Sequence, residues 1–288
     1  MKKTATLLAC ILWFSISMAQ NTASLNLKKG QKFSVETSSG GLITQEAMGQ
    51  STEIKFDVKS TNQVEVKNAQ DTTYTVTNTI TKMKTNMSFM GQEMTYDSEK
   101  KEDQDSEIGK NFGKIINHSN DVELSKSGKV ISQKKGADSA IKKNEADADM
   151  MSGMMQNMVG GIDDGSSGLS QVFQPMPRKV KVGYSWMDSL SSEGSKSKTT
   201  YTIRELKGNE AIVSINRTLQ LNNKAETQGM EVTNNSAGTV TGDAVVDIST
   251  GLVKHKTTTI ETKGTVEAMG QEIPVTTRIT STTVVTPL

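Results

Sequence analysis

The second half of this chain repeats sequence landmarks of the first half in the same order. A repeat of this length predicts two similar structural halves, and it says little about chemistry. It therefore constrains the architecture more than any other feature of the sequence. The repeated landmarks are residues 30–33 and 183–186, residues 51–58 and 199–204, and residues 121–130 and 246–253.

Both halves alternate apolar and polar residues with a period of two. Ile54, Phe56 and Val58 do so in the first half, and Tyr201 and Ile203 do so in the second. This alternation, together with abundant threonine, is typical of sheets with one buried and one solvated face. The sequence predicts an all-β fold with minor α content. Two duplicated antiparallel halves should form one curved sheet or half-barrel, with a helical insertion between them.

Changes in residue pattern along the chain predict its domain organisation. The predicted segments are a signal peptide (1–19), a first β half (20–134), a helical and loop insertion (135–178) and a second β half (179–288). In the insertion, residues 138–159 place alanine and methionine at spacings of three and four, which predicts an amphipathic helix. Packed on the concave face, its apolar stripe would either contact a ligand or simply fill the core. The predicted ligand contacts on this helix are Met150, Met151, Met154, Met155 and Met158.

The first residues predict export. Lys2 and Lys3 precede an apolar run that ends in Ser17-Met18-Ala19, as in a cleaved signal peptide. A lipoprotein signal at Cys10 is disfavoured because the apolar run continues past it. We expect a periplasmic protein, or alternatively a secreted one, whose mature chain begins near Gln20 and does not span a membrane.

Trp186 and a recurring triplet are the other candidate ligand contacts. Trp186 is interpreted either as a platform for a ligand or as a core aromatic matched by Phe33. The triplet Met-Gly-Gln begins at residues 48, 90 and 269. Glycine supplies the positive φ that tight turns need, which favours hairpin turns. The alternative is a soft apolar rim of methionines that contacts a ligand or partner.

Two sequence motifs resemble those of a known protein family. Residues 171–186 run from Phe173 through Pro175 and Pro177 to Gly183 and Trp186, and residues 242–252 contain an Asp-x-x-Thr-Gly turn. Together they resemble a domain-of-unknown-function family of exported Gram-negative proteins of about 300 residues. By looser analogy, the chain is similar to curved-sheet carriers of lipoproteins and lipids. The resemblance implies no catalytic residues.

The sequence lacks the residue patterns of the most common catalytic, nucleotide-binding and metal-binding sites. His118 and His255 are the only histidines, and no phosphate loop, dinucleotide fingerprint or Gly-x-Ser-x-Gly elbow occurs. Loss of the signal would remove the only cysteine, and the net charge of +1 argues against nucleic acid. We expect no enzyme, no cofactor and no metal site.

Two functions fit these observations. The leading hypothesis is an exported, non-catalytic binding protein for an apolar small molecule, a lipid or a lipid-bearing partner. The alternative is a structural or assembly factor of the cell envelope that acts through its surface and strand edges, with an envelope protein as its partner.

Overall fold

The structure is a computed structural model that describes residues 23–47, 49–89, 91–113, 115–134, 168–192, 194–227, 230–268 and 270–288. The predicted signal peptide lies outside these described residues. So does the predicted helix 138–159, with its five methionines Met150, Met151, Met154, Met155 and Met158.

The described chain is mostly strand. Two short helices, α1 (Lys101–Gln104) and α2 (Glu107–Phe112), separate β4 from β5, and a 3-10 helix (Leu169–Gln171) precedes the second half. None of the helices described is long and apolar enough to cross a membrane. The strands are β1 (Lys32–Ala47), β2 (Gln50–Ala69), β3 (Thr73–Phe89), β4 (Gln92–Asp97), β5 (Ser119–Ser125), β6 (Val130–Lys134), β7 (Ser185–Ser192), β8 (Ser195–Lys207), β9 (Glu210–Thr227), β10 (Met230–Asp247), β11 (Val253–Ala268) and β12 (Gln271–Pro287).

All twelve strands form one antiparallel sheet in the order β6-β5-β3-β2-β1-β12-β11-β10-β9-β8-β7, with β4 paired to the far end of β3. The first and second halves are therefore two meanders that meet where β1 pairs with β12. This arrangement confirms the predicted all-β, antiparallel architecture. The duplication of the two halves stays a prediction.

Alternate residues of each strand line one buried face, which we call the inner face; the opposite face is the outer face. In β2 the inner residues from Ile54 to Val66 are largely buried, whereas the intervening residues are mostly exposed. The pairing of the strands places inner residues opposite inner residues of the neighbouring strands. Val35, for example, faces Asn62 on β2 and Val285 on β12. The period-two pattern of the sequence thus corresponds to burial of one face, as expected for such strands.

The sheet curls around two chain segments at one end, which we call the basal end. Residues 23–27 cross this end: the Leu25 amide donates to the Lys126 carbonyl in the first half, and the Asn26 amide donates to the Thr250 carbonyl in the second half. Residues 168–177 lie beside them, with Ser24 bridging Met176. These bonds join the two halves across the inner face and hold the sheet in its curved form.

The two edges of the curled sheet also approach each other. The Nζ atom of Lys129, in the turn before β6, lies 3.3 Å from an Oδ1 atom of Asp188 on β7. Both side chains are about half exposed, so this ion pair contributes little to stability. The ion pair nevertheless shows that the sheet curves far enough to bring its first and last edges together.

Glycines in the central strands allow this curvature. A Cβ atom added to Gly242 on β10 would lie 2.1 Å from the Thr257 carbonyl oxygen, and one added to Gly238 would lie 2.0 Å from the Glu261 carbonyl oxygen. Neighbouring strands approach so closely there that no side chain fits. Glycine at such points is a usual way to bend a sheet sharply.

Candidate ligand-binding face

The inner face carries two separate apolar clusters. The basal cluster gathers inner residues from the basal ends of the strands, such as Val66, Val122 and Val246, and it is filled by the chain itself. Phe173, for example, packs edge-on against Phe33, with ring centroids 6.2 Å apart. The residues that fill the basal cluster from outside the sheet are Leu25, Leu27, Leu169, Val172, Phe173 and Met176. This end of the inner face is therefore a packed core.

The basal core depends on an aspartate turn between β10 and β11. One carboxylate oxygen of Asp247 accepts hydrogen bonds from the amides and hydroxyls of Ser249 and Thr250. The turn then presents the Gly251 carbonyl to the Gln174 amide. The Asp-x-x-Thr-Gly motif thus forms a structural turn that holds the 168–177 segment in place.

The same hydrogen bonds set the acidity of this carboxyl. Burial tends to raise the pKa of Asp247, but the hydrogen bonds from Ser249 and Thr250 outweigh burial and hold the pKa below its ordinary value. A depressed folded-state pKa means that the ionised form stabilises the fold. That contribution is present above the unfolded-state pKa and disappears as the pH falls through the folded-state pKa.

We therefore expect Asp247→Asn to lower the free energy of unfolding by about 1 kcal/mol at pH 7, a modest value because the carboxyl is partly solvated. The difference from wild type should shrink as the pH falls from about 5 toward 3. Urea unfolding at several pH values measures both effects. Asp243→Asn, an exposed site on the same strand, is the control and should change stability by less than about 0.5 kcal/mol. A difference that stays constant with pH would contradict this account.

The distal cluster lies on the same face toward the opposite, hairpin end of the strands. Its first-half wall includes two buried methionines, Met83 and Met87, and the aromatic pair Tyr96 and Phe112, whose ring centroids are 4.7 Å apart. Phe112 ends α2, so the short helices cover this wall. The buried members from the remaining strands are Ile54, Phe56, Val58, Leu219, Val240, Ile260 and Ile279. Methionine and aromatic side chains adapt to apolar ligands of different shape.

A band of hydroxyl groups separates the two clusters on the inner face of the central strands. Ser39 donates to Ser281 at 2.9 Å, and the Thr37 and Thr283 hydroxyl oxygens lie 3.2 Å apart. Apolar side chains would be the ordinary choice at such buried inner positions. The band comprises Thr37, Ser39, Ser60, Thr199, Thr258, Ser281 and Thr283, of which only Thr37 is less than nine-tenths buried.

Two of the three charged residues that the described strands place on the inner face are basic. Among the described strands, the register places three charged residues on this face: Lys256, Arg217 and Asp188. Lys256 is buried and its Nζ atom donates to the Ser170 carbonyl at 2.9 Å, while the Nε atom of Arg217 donates to the Thr199 hydroxyl at 2.9 Å. Asp188 lies at the open edge and pairs with Lys129. The hydroxyl band is therefore bordered by two cations.

Two buried polar atoms on this face lack hydrogen-bond partners among the described residues. They are the Oδ1 atom of Asn62 and the Oγ1 atom of Thr85. Asn62 borders the hydroxyl band, and Thr85 faces Tyr96 within the distal region. Unpartnered buried oxygens are uncommon in proteins, and a bound water or ion is one usual explanation for them.

Trp186 lies on the inner face of edge strand β7, against the basal cluster. It is partly buried and stacks between Tyr201, with ring centroids 5.3 Å apart, and Tyr184, at 6.4 Å. The structure therefore does not bring Trp186 into the distal cluster. Its role as a ligand contact stays a prediction, as do those of the five methionines outside the described residues.

The glycines of the Met-Gly-Gln triplets lie in hairpin turns, as predicted. Gly49, Gly91 and Gly270 have φ values of 76°, 79° and 72°, which glycine adopts without strain. They connect β1 to β2, β3 to β4 and β11 to β12 at the same end of the sheet. The apolar-rim hypothesis for these turns is not tested by the described residues.

The histidines do not build a catalytic arrangement. His118 precedes β5 and His255 lies on the outer face of β11, and both side chains are exposed. In the part of the chain that the structure describes, His, Asp and Glu side chains form no group of three that could hold a metal ion.

Sequence reasoning missed the residues that define the distal cluster and the band. Lys256 follows Lys254 and His255 in a polar run, and one extra residue on β11, Lys254, where the pairing with β10 shifts register, turns Lys256 inward. Phe112 stands in a charged, glycine-containing stretch without a strand pattern. The alternation of Met83, Thr85 and Met87 was the one available signal, because it places these residues on the same face.

Comparisons with known proteins locate the chain within a family and a fold. The sequence model of DUF6263, a family of unknown function, matches residues 71–253. A search of curated proteins found no match.

Among solved structures, the chain is similar to one described as "Lipid-protein interactions in lipovitellin". The TM-score is 0.54 and the identity is 11%, and the match covers 91% of this chain and 25% of that chain. This chain thus spans about a quarter of the length of that protein, and the likeness is one of fold.

Two outer-membrane proteins match with much lower scores. A COG4313 outer membrane channel from Pseudomonas putida F1 has a TM-score of 0.26 and 7% identity, covering 91% of this chain and 98% of that one. The translocator domain of autotransporter NalP from Neisseria meningitidis has a TM-score of 0.22 and 6% identity, covering 90% of each chain.

Proposed function

The chain belongs to DUF6263, a family of unknown function, and we propose that it is an exported, non-catalytic protein that binds an apolar ligand or a lipid-bearing partner on the inner face of its sheet. The observation that carries the proposal is the division of this face. The basal cluster is filled by residues 23–27 and 168–177, whereas the distal cluster gathers buried methionine, aromatic and aliphatic side chains beside a polar band. Concave faces that combine apolar walls with a few polar groups are the usual ligand sites.

The fold supports the same function. The solved structure with a similar fold is described by its lipid–protein interactions, and its match covers nearly all of the present chain. A large curved sheet can bury acyl chains against its inner face while its outer face stays in water. Here the outer face carries threonine pairs such as Thr257–Thr282 and Thr259–Thr280, which suit a solvated surface.

Binding of an apolar molecule can be tested directly. We expect mature protein purified from its own host to retain lipid in native mass spectrometry and to bind the neutral apolar dye diphenylhexatriene. Val240→Thr removes apolar surface from the distal cluster at nearly constant volume, so dye affinity should fall roughly fivefold. Val284→Thr makes the same change on the exposed outer face and should leave dye affinity unchanged.

The outcome also separates the two candidate functions. Equal dye affinity in the Val240→Thr and Val284→Thr variants, or no lipid and no dye bound by wild type, would overturn the binding-protein proposal. An assembly factor acting through strand edges would then be favoured. Edge strand β7 exposes Met187 and Leu190 and has a partner on one side only among the described strands, as partner-binding edges do.

A further inference from the structure

We infer that the basal end of the molecule docks on an anionic lipid bilayer, through cations in its turns and through apolar side chains that lie beside them. This surface is separate from the inner face of the sheet, so the inference does not rest on the proposed ligand site. Its basis is an uneven distribution of charge between the two ends of the sheet, which the net charge of +1 conceals.

The turns at the basal end are predominantly basic. Twelve of their residues are basic and five are acidic, which leaves an excess of seven positive charges at this end. The segments that make up these turns are residues 26–32, 65–73, 125–130, 178–184, 204–211 and 247–254. A surface of this kind attracts anions in a way that the balanced charge of the whole chain does not reveal.

Some of these cations already have carboxylate partners, whereas others do not. Within this end, Glu65 pairs with two lysines, and Glu205 and Glu210 pair with one each. Five exposed cations form no ion pair with any residue that the structure describes, and they lie in the loops before β1 and before β7. They are Lys28, Lys29, Arg178, Lys179 and Lys181. Their charge is therefore available to a partner.

The opposite end of the sheet is acidic. The described residues of the three Met-Gly-Gln hairpins, taken as 44–53, 86–95 and 265–274, include five acidic residues and no basic one. Glu267 even lies directly opposite Glu272. With 16 residues in β1 and about 3.4 Å per residue, the two ends are roughly 50 Å apart. This far exceeds the Debye length of about 8 Å at physiological salt, so the acidic end does not cancel the field of the basal end.

Exposed apolar side chains favour a lipid surface over other polyanions. Val182 is 53% exposed and follows Lys181, and Leu206 is 38% exposed and precedes Lys207. Apolar side chains beside lysines are typical of surfaces that enter the head-group region of a bilayer. The cations are also spread over several turns and do not form one pocket. Such a spread suits an array of anionic head groups, to which each cation contributes separately.

The test is cosedimentation with vesicles, using protein from which the predicted signal peptide has been removed because that segment would itself bind lipid. We expect binding to phosphatidylcholine vesicles that contain about 30% phosphatidylglycerol, no binding to phosphatidylcholine alone, and release in about 0.5 M sodium chloride. The variant Arg178→Gln/Lys179→Gln/Lys181→Gln should bind at least about 20-fold more weakly, since each surface cation strengthens binding about fivefold.

The matched control is Lys59→Gln/Lys198→Gln/Lys263→Gln, which removes the same charge from exposed positions on the outer face, away from the basal end. Its affinity for the anionic vesicles should stay within about threefold of wild type. If thermal melting shows that the first variant does not fold, Lys28→Gln/Lys29→Gln replaces it and should bind at least about fivefold more weakly.

A second variant separates a bilayer from an acidic macromolecule. Val182→Ser/Leu206→Ser keeps every charge and should weaken vesicle binding about fivefold, because apolar area no longer enters the lipid. Unchanged vesicle binding in this variant, or binding of polyglutamate or duplex DNA as tight as that of vesicles, would overturn the lipid surface in favour of an acidic protein or nucleic acid. Absence of vesicle binding by wild type, or equal losses in the two triple variants, would overturn the docking surface itself. Diphenylhexatriene binding, measured without vesicles, should be unchanged in all these variants and judges the proposed function separately.

Discussion

Gly242→Val is expected to destabilise the protein by at least about 3 kcal/mol. A Cβ atom at this position would lie 2.1 Å from the Thr257 carbonyl oxygen and 2.8 Å from the Thr258 Cα atom. Both contacts are with backbone, so no rotamer change relieves them and β10 must move away from β11. Overpacking that displaces backbone costs more than the usual 1–3 kcal/mol. Chemical unfolding monitored by circular dichroism measures the change.

The neighbouring residue provides the matched control. Thr241 is exposed on the outer face of the same strand, and Thr241→Val introduces the same side chain without a clash. We expect its effect on the free energy of unfolding to stay within about 0.5 kcal/mol. Equal stabilities of the two variants would show that β10 and β11 are not pressed together at Gly242.

Tyr74→Phe is expected to cost roughly 3 kcal/mol through the loss of one hydroxyl group. This buried hydroxyl donates to the Leu25 carbonyl and accepts from the Leu27 amide and from the Nζ atom of Lys126. Its removal leaves a buried amide and carbonyl without their partner, which costs about 1–3 kcal/mol each time such a group is orphaned. The 23–27 segment would then detach more readily from the basal cluster.

Hydrogen exchange distinguishes local detachment of residues 23–27 from a general loss of stability of the fold. In hydrogen exchange, the amides of Leu25 and Leu27 should lose protection before those of β2 and β3. Tyr184→Phe is the control, because Tyr184 is partly buried on the same face and its ring packs beside Trp186. We expect it to change stability by less than about 0.5 kcal/mol. Unaltered protection at Leu25 in Tyr74→Phe would refute the proposed role of the hydroxyl.

The fold was largely predictable because burial of one sheet face leaves a direct trace in the sequence. Ile54, Phe56 and Val58 alternate with charged residues, and this pattern suffices for strand, face and antiparallel class. The candidate site was not predictable to the same degree. Whether Lys256 turns inward depends on a register shift beside Val246, and such irregularities have no period that a sequence pattern would reveal.

The same limit applies to the two apolar clusters. The apolar inner residues of β2 look alike in sequence, although Ile54, Phe56 and Val58 belong to the distal cluster and Val64 and Val66 to the basal cluster. The basal cluster differs from the distal one through the docking of residues 23–27 and 168–177, which are distant in the chain. Predicting that packing requires tertiary contacts, not local propensity.

The pairing of β1 with β12 has a consequence for how the molecule is made. The hydroxyls of Thr37 and Thr283 meet across 246 residues, so the middle of the sheet is joined by the first and the last of the described strands. Contacts of such long sequence separation form slowly because loop closure must precede them. Until synthesis reaches β12, β1 is an open edge, and the inner face cannot close. Assembly of the complete sheet is thus a late event that waits for the synthesis of β12.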